Sequence, residues 1–290
     1  MITRRRFLQW LLSLGVVGAA MSAYAVVVEP LLRHRVTRYN VKLRRWPDDL
    51  QLTIAVIADV HACKPWMTVD RIHSIVEQTN NLNADVIVLL GDYVIHDVVG
   101  GHFIPPETTA AALGRLHARL GVVAVLGNHD WWLDGQRVRA ALEARGIPVL
   151  ENQVMPLGAP GQRFWIAGIA DAWTNKYDVP GTLAHVPVDA PVLLLTHNPD
   201  LFPLVPPRVA LTLAGHTHGG QVRLPLLGRP IVPSEYGQRY AAGAVREDGR
   251  VLFVTTGVGT SIIPVRLRVP PSVSLLTLRA APAEGERSSR

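Results

Sequence analysis

Cysteine is nearly missing from this sequence: Cys63 is the only one in 290 residues. A single thiol cannot close an intramolecular disulfide and cannot build a structural zinc site from four thiolates. Acidic residues are scarce in one region only. Residues 1–46 hold nine Arg or Lys against one acidic residue, Glu29, which leaves 20 basic and 22 acidic residues for the remainder. The formal net charge of +6 is therefore a property of the N-terminus and not of the body. A nucleic-acid-binding domain concentrates its basic residues in the folded body, so no specific nucleic-acid binding is expected. Basic charge at the N-terminus points instead to anionic lipid or a sorting signal. There is no internal repeat, and 48% hydrophobic with 18% charged residues describes a globular chain long enough to bury a core.

The chain begins MITRRRFLQWLLSLGVVGAAMSAYAVVVEP. Three arginines, Arg4 to Arg6, precede an apolar stretch from Phe7 to Val28. Thr3-Arg4-Arg5-Arg6-Phe7-Leu8 matches the S/T-R-R-x-F-L pattern of a bacterial twin-arginine export signal. The alternative is an uncleaved anchor. Ala23-Tyr24-Ala25 offers a small-residue cleavage site, but Val26 to Val28 carry the apolar run past it, and about 20 apolar residues span a bilayer. Arg33, Arg35, Arg38, Lys42, Arg44 and Arg45 follow, so positive charge flanks the segment on both sides and orientation stays open. The expected organisation is a twin-arginine signal or membrane anchor over 1–28, a basic juxtamembrane linker over 29–47, a folded domain over 48–280 and a polar tail over 281–290. The body is expected at the membrane, extracytoplasmic or exported by the twin-arginine route; the alternative is the cytoplasmic face of the inner membrane.

Past Trp46 the chain alternates apolar runs with helical stretches. Runs at 52–58, 85–90, 122–126, 164–170, 192–196, 209–214, 251–257 and 272–278 read as strands, and their continuous apolar character predicts burial on both faces. Helices are predicted over 69–80, 107–119 and 135–146, between strands, so the first half reads as βαβ units of an α/β protein. The later strands have few helices between them, which predicts a second, more antiparallel sheet.

The polar interruptions share one position: the end of a buried strand. The strand at 52–58 runs into Asp59-Val60-His61, and that at 85–90 into Gly91-Asp92-Tyr93. The third ends in Gly127-Asn128-His129-Asp130. His197-Asn198-Pro199 follows the run at 192–196, and Gly215-His216-Thr217-His218-Gly219-Gly220 follows the run at 209–214. Open α/β sheets bind ligands at the carboxyl ends of their strands, so five such ends can share one crevice. Oxygen and imidazole donors without thiolate select Mn, Fe, Zn or Co over structural zinc. Seven side chains exceed one tetrahedral ion and suit two ions sharing a carboxylate.

In that order, DxH, GD, GNH(D), a lone His and GHxH resemble the five motifs of calcineurin-like metallophosphoesterases, across roughly residues 50–260. GDYV, GNHD and GHTHGGQ look closest to the membrane-associated bacterial subgroup. The resemblance implies a four-layer α/β/β/α sandwich of two mixed sheets. It implies that Asp59, His61 and His218 hold one metal, that Asn128, His197 and His216 hold the other, and that Asp92 bridges both. His129 would act on the substrate phosphate, stabilising charge or protonating the leaving oxygen, with Asp130 orienting its imidazole. The implied activity is hydrolysis of a phosphoester, a phosphodiester first, by a hydroxide bridging two divalent ions.

Two alternatives stand beside that reading: pyrophosphohydrolysis of a UDP-diacylglucosamine-type lipid, and a non-catalytic metal-binding module. The expected partners are a phosphoester substrate, lipid-linked or nucleotide, and the membrane surface. The Pro-rich stretch 223–233 is expected to wall the site. Trp131 and Trp132 are expected to pack beneath it, and His96 and His102 lie in a loop that could line it.

Overall fold

The computed structural model describes residues 3–174 and 176–282, so most of the expected polar tail lies outside the described residues. In chain order the strands are β1 (Arg35–Leu43), β2 (Leu52–Ile57), β3 (Cys63–Lys64), β4 (Val86–Leu90), β5 (His102–Phe103), β6 (Val122–Val125), β7 (Gln153–Leu157), β8 (Phe164–Gly168), β9 (Val192–Leu195), β10 (Leu211–Ala214), β11 (Gly243–Glu247), β12 (Arg250–Val254) and β13 (Ser272–Ala280). Two mixed sheets result, ordered β1-β13-β2-β4-β6 and β11-β12-β10-β9-β8-β7. Every apolar run read as a strand is one.

The side-chain period explains the layers. Alternate residues of β2, β4 and β6 point to opposite faces. Ile54, Val56, Val86, Val88, Leu90, Val123 and Val125 meet Phe164, Ile166, Leu193, Leu195, Leu211, Leu213 and Phe253 of the second sheet in a fully buried inter-sheet core. The intervening Ala55, Ile57, Ile87, Leu89 and Ala124 face outward onto Ile72, Ile75, Val76, Leu113, Val138 and Leu142, carried by the helices Val69–Asn80, Pro106–Leu113 and Asn128–Glu143. The second sheet's outer face has a thinner cover, the short helix Val179–Ala184 and the 3₁₀ turn Pro199–Leu204. This is the expected α/β/β/α sandwich, with a slight fourth layer.

Three details depart from the sequence reading. The second sheet is more antiparallel than the first, with two such pairings against one, but only at its two edges; its centre (β8–β9, β9–β10 and β10–β12) is parallel, which the sequence reading did not anticipate. Its parallel crossovers escaped notice because they contain little regular helix. Second, the stretch read as a basic linker contains β1, paired in parallel with β13 over nine residues. Its basic side chains at 35, 38 and 42 face solvent while Val41 and Leu43 are buried, the pattern of a charged edge strand. Third, the helix read as 135–146 begins at Asn128 and breaks its helical geometry at Asp134.

At the N-terminus one helix runs from Arg4 to Leu32 and is long and apolar enough, by length and composition, to cross a membrane. None of its residues from Arg4 to Ala23 is buried. The last turns dock on the body. The carbonyl of Ala25 accepts from the Arg266 amide at 2.8 Å, and the Glu29 carboxylate, buried, accepts from the Val269 amide at 2.6 Å.

Candidate metal centre

β2, β4 and β6 are parallel in one sheet, and β9 and β10 are parallel in the other, so all five carboxyl ends lie at one edge of the sandwich. The residues that follow them are buried together: Asp59, His61, Asp92, Asn128, His129, His197, His216 and His218 are each at most 6% exposed. The loops are tied to one another by backbone. The Asp59 amide donates to Gly91 O at 3.0 Å, and the His61 amide to Asp92 O at 2.9 Å.

The approach is close enough to forbid side chains at two glycines. A Cβ on Gly127 would stand 2.3 Å from Asp92 Oδ1, and one on Gly215 2.7 Å from Ala58 Cβ. The backbone is also bent out of its ordinary basins. Asp59, His61, Asp92, His216 and His218 all have φ between 46° and 70°, a left-handed conformation that costs a non-glycine residue about 1–3 kcal/mol. Five such residues around one point are held there by the surrounding structure, and the strain lies where the donor side chains are aimed.

Two donor groups share one carboxylate. Ring and carboxylate atoms of Asp59, His61 and His218 lie within 4.8 Å of one another, as do those of Asp92, His197 and His216. His61 Nε2 is 3.1 Å from His218 Nε2 and 3.4 Å from Asp92 Oδ2. His197 Nε2 is 3.2 Å from Asp92 Oδ2, 3.1 Å from Asn128 Oδ1 and 3.1 Å from His216 Nδ1. His197 Nδ1 donates to Leu90 O at 2.7 Å, and that bond turns Nε2 toward the cluster. Asp92 therefore reaches both groups. His129 also lies within 4.8 Å of His61 and Asp92.

Burial sets the charge states. It drives His61 and His216 down to about 3 and His218 well below its ordinary value, so these rings are neutral and keep a lone pair. Burial pushes Asp59 up to about 7. At His197 burial opposes charge, but the Asp92 carboxylate outweighs it and lifts the ring to about 10. At Asp92 burial works upward and is overcome by His197 and then His61 and His129, which hold it well below the usual carboxylate range. Asp59 Oδ2 and His216 Nε2 are buried and have no hydrogen-bond partner among the described residues. Orphaned acceptors, neutral imidazoles and ring nitrogens facing each other at hydrogen-bond distance fit divalent cations, which would satisfy all of them at once.

One expectation about Asp130 is corrected. Its carboxylate does not orient the His129 imidazole. It accepts from the amides of Asp92 at 2.8 Å, Tyr93 at 2.8 Å and Gly127 at 2.9 Å, and so pins the loops after β4 and β6 together. Burial and then the nearby Asp92 push it up to about 8, while those amides pull it down. Asp130→Ala leaves three buried donors unpaired, each worth about 1–3 kcal/mol. We expect the metal-free protein to melt at least roughly 5 °C lower. A thermal melt unchanged from the parent protein would return Asp130 to the role first expected of it.

The rest of the site mixes agreement and surprise. Trp131 packs with its Nε1 on Glu151, but Trp132 is half exposed, with its ring 4.6 Å from His129. Trp173, which sequence reasoning missed, is also half exposed and stands edge-on to His216 at 4.3 Å. It follows β8, so extending the strand-end rule to that strand was the signal available. Asp171 holds its loop by accepting from the Trp173 and Thr174 amides. His96 is exposed and paired with Asp97, and His102 lies on the exposed strand β5. The stretch 223–233 does border the cluster: Arg229 Nε donates to Gly219 O at 2.8 Å. Arg266, fully buried, was missed altogether. It donates to Thr256 O and Val269 O and stands 3.5 Å from His218 Nδ1.

A model of the calcineurin-like phosphoesterase family matches residues 52–220. Over 286 residues the chain is 30% identical to phosphodiesterase YaeI of Escherichia coli, covering 96% of this chain and all of that protein. It is 28% identical to an uncharacterized metallophosphoesterase, YkuE of Bacillus subtilis, covering 96% of this chain and 98% of the relative. A transmembrane protein with a metallophosphoesterase domain from Danio rerio is 27% identical over 95% of this chain and 64% of that protein.

Proposed function

The chain belongs to the calcineurin-like phosphoesterase family and is a metal-dependent hydrolase of phosphoester bonds; on that premise we propose that it is a membrane-anchored phosphodiesterase with a two-metal centre. One observation carries the reading: two donor groups from five strand ends meet at a single shared carboxylate, Asp92. Asp59, His61 and His218 would hold one ion and Asn128, His197 and His216 the other, with the Asp92 carboxylate within reach of both groups. Bound divalent ions supply Lewis-acid charge and a water that loses its proton near neutral pH.

The chain's own residues do the rest. His197 is oriented by Leu90 O. The positive-φ turns aim His216 and His218 from one short loop toward the two different donor groups. Burial lowers the His129 pKa, so its neutral ring presents one N–H donor to a phosphoryl oxygen or to the departing oxygen. Its amide, bonded to Asp92 Oδ1 at 2.9 Å, keeps the ring beside the shared carboxylate. Trp132 and Trp173 stack on each other with centroids 6.4 Å apart and stand against the rings of His129 and His216, so a substrate group reaching those rings meets indole faces.

Docking of Ala25 and Glu29 onto the body favours retention of the helix as an anchor over its removal as a leader. Neither the site nor the relatives' names point to a UDP-diacylglucosamine substrate, and that alternative is not retained. The diester reading is tested with the full chain in detergent, stripped of metal and then supplied with Mn²⁺. We expect bis(p-nitrophenyl) phosphate to turn over faster than p-nitrophenyl phosphate. Preference for the monoester overturns the diester assignment, and no turnover of either overturns the hydrolase reading.

A further inference from the structure

The junction between the N-terminal helix and the body lies at the same edge as the metal centre. Arg35, the first residue of β1, pairs with Ser272; Ser274 pairs in turn with Val56, near the end of β2, which leads into Asp59. Arg266 joins the two regions directly, its amide on Ala25 O and its guanidinium at His218. Trp66 Nε1 donates to Val26 O at 3.3 Å, and Arg71 donates to Pro30 O.

Around this junction the body exposes apolar side chains that the fold does not use. Ile262 and Ile263 lie just before Arg266, and the Val99 amide donates to Ile262 O at 3.0 Å. The Gln221 side chain donates to Ile263 O at 3.2 Å, and the Arg223 amide to Leu267 O at 2.9 Å, so the hairpin carrying Leu226 and Leu227 projects from the same place. Ile231 follows on that loop, 77% exposed. Leu226 is wholly exposed and has φ 67°. In water a leucine there gains no burial and takes a conformation that glycine adopts freely. Charge points the same way. Apart from the buried Arg266, segments 221–233 and 261–268 contain Arg223, Arg229 and Arg268 and no Asp or Glu, and the exposed Arg33 and Arg35 follow the helix.

We propose that Val99, Leu226, Leu227, Ile231, Ile262 and Ile263 form a collar that enters the headgroup layer of the bilayer crossed by the helix, with the nearby arginines on anionic lipid phosphates. The occupant is the lipid surface, because the collar continues an apolar helix already docked against it and pairs exposed aliphatic side chains with neighbouring basic charge. The metal centre then opens at the membrane surface. This rests on the anchor reading above.

The single buried cysteine allows a direct test. Leu226→Cys, Ile263→Cys and, as a control at the opposite edge, Val188→Cys are each labelled in the full chain with an environment-sensitive fluorophore. The proteins are reconstituted into phosphatidylethanolamine–phosphatidylglycerol vesicles containing lipid brominated high on the acyl chain. Probes at 226 and 263 are expected to shift to the blue and to be quenched several-fold more than the probe at 188. Probes as wet as the control overturn the collar, as does shielding without bromine quenching, the mark of a protein partner or a second copy. A chain that floats with vesicles but leaves its collar unquenched overturns the collar alone; one that does not float overturns the anchor with it. Turnover of bis(p-nitrophenyl) phosphate by the same labelled proteins reports separately on catalysis.

Discussion

Asp92→Asn is expected to lose metal from both halves of the centre and to lower turnover of a phosphodiester by at least about 10³-fold, roughly 4 kcal/mol in barrier. The substitution keeps the shape and one oxygen, so the bond from the His129 amide survives. It removes the negative charge and can turn a donor –NH₂ toward His61 Nε2 and His197 Nε2, now 3.4 and 3.2 Å from a carboxylate oxygen. Two donor groups would lose their common member at once. Metal content by elemental analysis, beside activity and circular dichroism, checks the claim. Full metal occupancy with turnover unchanged in a folded protein would remove Asp92 from the centre.

His129→Ala separates binding from chemistry. A positioned proton or hydrogen-bond donor contributes about 10²–10⁴-fold, and we expect a loss in that range with metal content close to that of the parent protein. The ring's contacts are with His61 and Trp132, at centroid distances of 4.8 and 4.6 Å, so truncation should cost little in stability. The alternative has a geometric basis, because His129 also lies within ligand distance of His61 and Asp92. Loss of metal from this variant would move His129 among the ligands and refute its assignment to the substrate.

The contrast between what was legible and what was not follows the range of the interactions. Strands such as VIVLL at 86–90 announce themselves because burial on both faces demands an unbroken apolar run. β1 did not, because an edge strand needs only one apolar face, and its outward arginines read as a linker. The donor set was legible because each donor sits immediately after a buried strand, where a polar residue has no packing reason to be. Trp173 obeys the same rule but is not a donor type, so it drew no notice. Asp130 was legible as part of the site but not in its role: sequence proximity suggested His129, whereas its partners, the Asp92 and Tyr93 amides, lie nearly forty residues away along the chain.

By itself the sequence determined the layered α/β architecture, the five polar strand ends and the chemistry of their donors, all of which depend on local periodicity and residue type. Only the tertiary structure decided that Asp92 touches both donor groups, that Asp130 staples two loops, that Arg266 joins the N-terminal helix to His218, and that exposed aliphatic side chains ring that junction. Those are contacts between residues distant along the chain, and their geometry depends on how two sheets pack and which strands stand side by side, information that no short stretch of sequence contains.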